Sequence, residues 1–284
     1  MEFHVRTTVV QMAPGSSLPD NIDQARHLIE AAIRADRPDL VVLPEMWSCL
    51  GGTRDVKFAS AEALPAPGAA DDAAGPLYRF MRDMARTHGV TLHGGSIGER
   101  RGDRLMNTSL LFDAQGVERA RYRKIHLFDI TTPGGEGYRE SDTYAPGEDI
   151  VTAPVGPFTA GLAICYDIRF AELFLALRRK GANLIVLPAA FTAETGEAHW
   201  ATLLRARAIE TQCWVVACGT TGTHVDAGGN ARRTYGHSMI IDPWGTLVAQ
   251  ATNGAGWTTA RLDMDLVHKV RAGIPVIDHR RLPL

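Results

Sequence analysis

With 284 residues, 45% of them hydrophobic and 22% charged, the chain has an ordinary globular composition and room for a sizeable core. A formal net charge of -2, with no block of Lys and Arg, gives no footing for nucleic acid or a membrane surface. No apolar run is long enough to span a bilayer, the N-terminus lacks a signal peptide's apolar region, and the four cysteines form neither a disulfide framework nor a zinc motif. A cytoplasmic protein with reduced thiols is expected.

Nothing reads as a linker, so one domain over residues 1–284 is expected, with 64–76, rich in Pro, Gly and Ala, as a surface excursion. Val5 to Met12 is β-branched and ends at Pro14-Gly15, which makes it a first strand. Ser17-Leu-Pro-Asp20 opens a helix, in which Ile22, Ala25, Ile29, Ala32 and Ile33 recur at helical spacing. Residues 39–44 form a continuous apolar run, the mark of a strand covered on both faces, and Glu45 follows at once. Leu77, Phe80, Met81 and Met84 define a second amphipathic helix to His88. Strands are expected at 90–97, at 105–112 and, after the turn Asp113-Ala-Gln-Gly116, towards Tyr122. Arg123 to Phe128 then leads into a long glycine-rich loop, 131–147, that carries Glu140.

The stretch 159–177 breaks from strand to helix. Leu162 and Ile164 alternate as in a buried strand, whereas Phe170, Leu173, Phe174 and Leu177 are spaced as in a helix, and Cys165 stands between. A thiol on such a turn lies near backbone N–H groups that favour thiolate and can bind an oxyanion, although a cysteine after an apolar strand can equally be inert packing. Beyond it come a strand at 183–188, a helix at 197–211, a strand at 214–218 and a hairpin from 238–242 and 247–250 about Pro243-Trp-Gly245. A strand at 258–262, a short helix from Asp265 and a tail follow. The segments 40–45 and 184–189 look alike, which suggests strands in equivalent places. Helices alternate with strands early and hairpins come late, so mixed sheets covered by helices are expected.

Glu45, Lys124 and Cys165 each sit at the end of an apolar strand, where a carboxylate, an ammonium and a thiol could converge. Taken singly, Lys124 close after Arg121 and Arg123 reads as a solvated cation and Glu45 as a loop start. The stretches Leu43-Pro-Glu45-Met-Trp47, Tyr122-Arg-Lys124-Ile-His-Leu-Phe-Asp129 and Ile164-Cys165-Tyr-Asp-Ile-Arg-Phe170 resemble the three signature segments of the nitrilase (carbon–nitrogen hydrolase) superfamily. The likeness extends through Ala198-His-Trp200, residues 203–213, Tyr235-Gly-His-Ser238 and Asp242-Pro-Trp-Gly245.

This resemblance implies an α/β protein, a four-layer αββα sandwich, that acts without metal or organic cofactor and forms a homodimer, with the tail from about 270 to 284 at the interface. It implies Cys165 as nucleophile, Glu45 as general base and then acid, and Lys124 as the cation that holds the oxyanion together with the N–H of Tyr166. Glu140 matches the family's second carboxylate, though it also reads as a loop acid. His126 and His199 are expected as supporting hydrogen-bonders, His199 beside the substrate; Cys49, Cys213 and Cys218 as structural; His237 and Trp200 as packing or pocket wall. Tyr166-Asp167 after the cysteine departs from true nitrilases, which have Trp-Glu. Ile168-Arg169 departs from N-carbamoyl amino-acid hydrolases, which have paired arginines. The sequence is most similar to the omega-amidase and deaminated glutathione amidase branches. That implies hydrolysis of a small carboxylate-bearing amide to acid and ammonia through a thioester, with Arg169 as a candidate grip on the carboxylate. Nitrile hydrolysis, N-carbamoyl hydrolysis and a non-catalytic binding role on the same fold are the alternatives.

Overall fold

The computed structural model describes residues 4–66, 74–132, 134–225, 229 and 231–282. Most of the expected excursion at 64–76 therefore lies outside the described residues. Two sheets account for most of the strands. One runs in the order Gly256–Asp263, His4–Gln11, Leu40–Val42, Thr91–His93, Arg104–Phe112, Ile97–Arg101, with Glu118–Arg123 and Tyr144–Ala145 also paired to Arg104–Phe112. The other runs Thr152–Val155, Phe158–Leu162, Leu184–Ala189, Trp214–Gly219, Met239–Ile241, Leu247–Gln250.

The two orders are the same pattern. Each has an antiparallel edge strand, three strands parallel to one another, then two more antiparallel strands. Leu40–Val42 and Leu184–Ala189 are the central parallel strands of their sheets, flanked on both sides by parallel partners. Their similar apolar sequences follow from that equivalence: a central parallel strand is buried on both faces and tolerates little but apolar residues.

Successive strand residues point to opposite faces, and the cores follow. Val10, Val41 and Leu43 pack with Ala25, Leu28 and Ile29 of the helix Leu18–Asp36 and with Leu77, Phe80 and Met81 of the helix Pro76–His88. Val9, Leu40 and Val42, one residue out of step, join the cluster that contains Leu162, Val186 and Val216 of the second sheet. That cluster continues to Phe174 and Leu177 of the helix Ala171–Arg179 and to Trp200 and Leu204 of the helix Ala193–Thr211. Helix, sheet, sheet and helix thus form four layers. Cys218 lies between the sheets, its thiol donating to the carbonyls of Val10 and Val42 at 3.2 and 3.3 Å.

Several elements differ from expectation, among them the strand expected at 90–97, which is broken into Thr91–His93 and Ile97–Arg101 around Gly94 to Ser96. The helix expected at 197–211 starts at Ala193, because the Thr192 hydroxyl caps it by accepting from the N–H of Thr195. The loop 131–147 contains a small hairpin, Asp129–Thr131 with Gly137–Arg139, and a 3-10 turn at Glu140–Asp142. A second hairpin, Thr221–Val225 with Ala231–Tyr235, has no counterpart in the sequence reading, since Thr-Gly-Thr-His and Ala-Arg-Arg-Thr lack the alternation that betrays a half-buried strand.

Candidate active site

The first sheet delivers the carboxylate. Past the strand Leu40–Val42 the chain is held by the neighbouring loop: Ser96 donates its N–H to the Pro44 carbonyl (3.1 Å), the N–H of Met46 donates to the Ser96 hydroxyl (3.1 Å), and the Trp47 indole donates to the Gly94 carbonyl (2.8 Å). Gly95 is required there. It has φ +60°, and a Cβ would stand 2.0 Å from the Pro44 carbonyl oxygen. Met46 itself takes a left-handed conformation, φ 49°.

The second sheet delivers the thiol. Where Phe158–Leu162 ends, Cys165 adopts φ 47°, a conformation disfavoured for residues other than glycine and concentrated at functional sites. The expected passage from strand directly to helix is corrected here: a 3-10 turn, Cys165–Arg169, intervenes before the helix Ala171–Arg179. Buried Asp167 locks this turn. Its carboxylate accepts from the Tyr122 hydroxyl (2.7 Å) and from the N–H groups of Ile164 (2.8 Å) and His126 (3.1 Å), and it pairs with His126 Nδ1 (2.7 Å). The His126 ring stacks on Phe170, centroids 3.7 Å apart. His126 is therefore a supporting residue, as expected.

Four titratable side chains meet between the sheets. Lys124 Nζ donates to Glu45 Oε1 at 3.0 Å and to Glu140 Oε2 at 2.8 Å. Asn107 Nδ2 donates to Glu45 Oε1 (2.9 Å) and to Glu140 Oε1 (3.1 Å). The Phe128 N–H donates to Glu140 Oε2 (2.7 Å), and the Ala190 N–H to Glu45 Oε2 (2.7 Å). Ala190 follows the central strand of the second sheet as Glu45 follows that of the first, so the two equivalent strand ends meet at this bond.

Cys165 is 7% exposed and Lys124 2%. Burial, and then the charge of Glu45, which also accepts a hydrogen bond from the thiol, push Cys165 well above its usual range; Lys124 opposes them without prevailing. That direction favours a protonated resting thiol beside the Glu45 carboxylate, which fits the expected role of Glu45 as base. Burial works against the Lys124 ammonium, but Glu140 and Glu45 outweigh it and raise its pKa.

These groups line a cavity of about 230 Å³ with Tyr166, Phe128, Tyr138, Tyr144 and Phe191. Four cations, Lys57, Arg139, Arg232 and Arg233, also line it. Arg232 lies 3.4 Å from Glu136 and over the Tyr138 ring, and Arg139 donates to the carbonyls of Ile130 and Tyr138. Tyr166 is in the wall as expected, but Arg169 and His199 are not. Arg169 lies outside it, over the rings of Tyr166 and Phe191 at 5.8 and 5.4 Å and 3.4 Å from His199, which is exposed. In the 3-10 turn Arg169 lies one turn beyond Tyr166 and on the same side, so Tyr166 fills the wall and Arg169 stands behind its ring. Cys49, expected as packing, lines the cavity, whereas Trp200 is core and donates to the His237 carbonyl at 2.8 Å. Asn107 was missed. Its signal was an Asn inside an expected strand, where Asn is depleted. Lys57 and the two arginines of the second hairpin carried none. Among the described residues no group of three or more His, Cys, Asp and Glu could hold a metal ion.

The description "Carbon-nitrogen hydrolase" fits residues 6–272, and the chain belongs to that family. It is 44% identical over 211 residues to a protein of Yersinia enterocolitica named deaminated glutathione amidase, covering 73% of this chain and 72% of that protein. A protein of the same name from Synechocystis is 39% identical over 280 residues, covering 95% and 96% of the two. The crystal structure of the C. elegans NitFhit protein superposes with a TM-score of 0.87 at 37% identity over 99% of this chain; this chain spans 66% of that longer one.

Proposed function

We propose that the protein is a cysteine-dependent amidohydrolase that cleaves the C–N bond of a small carboxylate-bearing amide through a thioester on Cys165, of the deaminated glutathione amidase or omega-amidase type. The observation that carries this reading is that buried Cys165 shares one cavity with Glu45, whose carboxylate is itself fixed by Lys124, Asn107 and the Ala190 N–H.

Glu45 takes the thiol proton as sulfur attacks the amide carbon. Lys124 spends two of its three N–H bonds on Glu45 and Glu140, which leaves one for the developing oxyanion beside the N–H of Tyr166. As the C–N bond breaks, the proton on Glu45 passes to the leaving nitrogen. Glu45 then takes a proton from water, whose oxygen attacks the thioester, and the departing sulfur recovers a proton to restore the thiol. Glu140 keeps Lys124 charged and in place.

Lys57, Arg139, Arg232 and Arg233 around the cavity support a substrate that carries carboxylate, and relatives named deaminated glutathione amidase support that branch. Deaminated glutathione contains only secondary amides, so an amine leaves rather than the ammonia that a primary amide releases. The deciding assay reads both products from wild type and Cys165→Ala with deaminated glutathione, 2-oxoglutaramate, succinamate, an N-carbamoyl amino acid and an aliphatic nitrile. Cys165-dependent amine release from the first compound supports the deaminated glutathione branch. Ammonia from the second or third supports the omega-amidase branch, and turnover of the last two alone contradicts the amidase reading. An intracellular homodimer completes the proposal. It is supported by four cysteines that are all free and by apolar Ile274 and Leu282 in the tail, 46% and 82% exposed. Sedimentation at micromolar concentration tests the dimer.

A further inference from the structure

Asn107 bonds to three of the four members of the buried cluster, Lys124, Glu45 and Glu140. It lies in the strand Arg104–Phe112 and is 1% exposed. Its backbone carbonyl accepts the N–H of Lys124 at 2.9 Å, while its side chain donates to both Glu45 and Glu140. Its Oδ1 is buried with no partner. The reversed amide would set its oxygen against two carboxylate oxygens, acceptor against acceptor, so the NH₂ end must face them.

A carboxylate oxygen has about two lone-pair directions. On Glu45, Oε1 has both filled, by Lys124 Nζ at 3.0 Å and Asn107 Nδ2 at 2.9 Å, whereas Oε2 has one filled, by the Ala190 N–H at 2.7 Å. We infer that Asn107 is a positioning residue. With Lys124 it closes Oε1, so that Oε2 takes the thiol proton and later hands it to the leaving nitrogen. Through its second N–H it ties Glu140 into the same cluster. The inference rests on Glu45 as the base.

Lys124, Cys165, Tyr144 and Cys49 are the other titratable groups around the pair. Burial raises the two thiols and Tyr144, and the two carboxylates keep Lys124 charged. An N–H donor favours the ionised form of a carboxylate, so its loss makes protonation easier.

The test compares wild type, Asn107→Leu, Asn107→Asp and Glu45→Gln by the rate of Cys165 alkylation with iodoacetamide across pH, a readout that needs no substrate. Amide turnover and thermal unfolding accompany it. Asn107→Leu should move the acid limb of alkylation to higher pH and lower kcat roughly ten- to a hundredfold, with KM changed less than about threefold. Asn107→Asp fills the same space but adds a negative charge, and should move the limb further. If Asn107→Leu fails to fold, Asn107→Ser, which keeps one donor, should lie between wild type and Asn107→Asp in both readouts. An unshifted limb and unchanged kcat in folded Asn107 variants would overturn the assignment. So would variants that lose activity only in step with unfolding temperature. If Glu45→Gln alone fails to alter alkylation, the underlying assignment of the base is what fails.

Discussion

The floor and the mouth of the cavity are built on opposite rules. On the floor each charge has an answer: Lys124 lies within 3.0 Å of two carboxylates, and each carboxylate also accepts from Asn107 and a backbone N–H. At the mouth stand Lys57, Arg139, Arg232 and Arg233; among the described residues Arg232 pairs with Glu136 at 3.4 Å and Arg139 acts on Asp129. A paired, desolvated cluster holds protons in fixed places, which suits bond-making. A surplus of cations around an open volume suits the capture of an anionic molecule that supplies the missing charge. The contrast separates residues that act on the reacting atoms from residues that select what arrives.

That separation can be broken by mutation, most visibly on the floor. Glu45→Gln keeps the shape but cannot accept the thiol proton, so kcat should fall by roughly 10²–10⁴ while KM stays within a few-fold; steady-state kinetics on the wild-type substrate read it. Lys124→Met leaves two buried carboxylates unanswered. It should cost about 3–5 kcal/mol of stability in denaturant unfolding, besides a kcat loss of roughly 10²–10³ for the missing oxyanion donor. A loss of activity without loss of stability would mean that the floor is not a coupled cluster.

His93 sharpens the comparison from within the core. It is fully buried with neither ring nitrogen partnered, and burial lowers its pKa from 6.5 to about 3. Between those values the unfolded chain binds a proton that the folded protein does not. Stability from this group is therefore fully present above pH 6.5 and is lost as pH falls towards 3, with a slope of up to about 1.4 kcal/mol per pH unit. His93→Leu should flatten that slope in urea titrations at pH 4 to 7.

The smallest effects belong to the mouth. Lys57→Met and Arg233→Ala should each raise KM for a carboxylate-bearing amide about tenfold, the equivalent of one charge-assisted hydrogen bond. They should leave kcat within about twofold and reduce the dependence of KM on salt. If KM moves with Arg169→Ala and with neither of these, the anion is held at the residue expected from sequence and the mouth is only a solvated surface.

The same division decides what could be read from sequence. Glu45 and Cys165 were legible because each follows an apolar strand, whereas Lys124, after the charged strand Glu118–Arg123, was legible only through its signature segment; the likeness of 40–45 to 184–189 foretold the two equivalent central strands. Glu140 was visible through its matched position rather than any local pattern. The mouth was illegible for a physical reason. Lys57 lies in a six-residue helix, and the arginines lie in short polar hairpins, where no periodicity reports which side faces inward. Arg169 and His199 show the converse. Their place beside the cysteine turn was readable, but the packing of Arg169 behind the rings of Tyr166 and Phe191, outside the cavity wall, was not.

The central claim is a covalent bond at Cys165, and intact-mass spectrometry of acid-quenched wild type during turnover of deaminated glutathione tests it most directly. The account predicts an adduct of the acyl fragment's mass, mapped to the peptide containing Cys165, that is absent in Cys165→Ala together with turnover. Turnover that persists in Cys165→Ala, with no adduct in wild type, would contradict it.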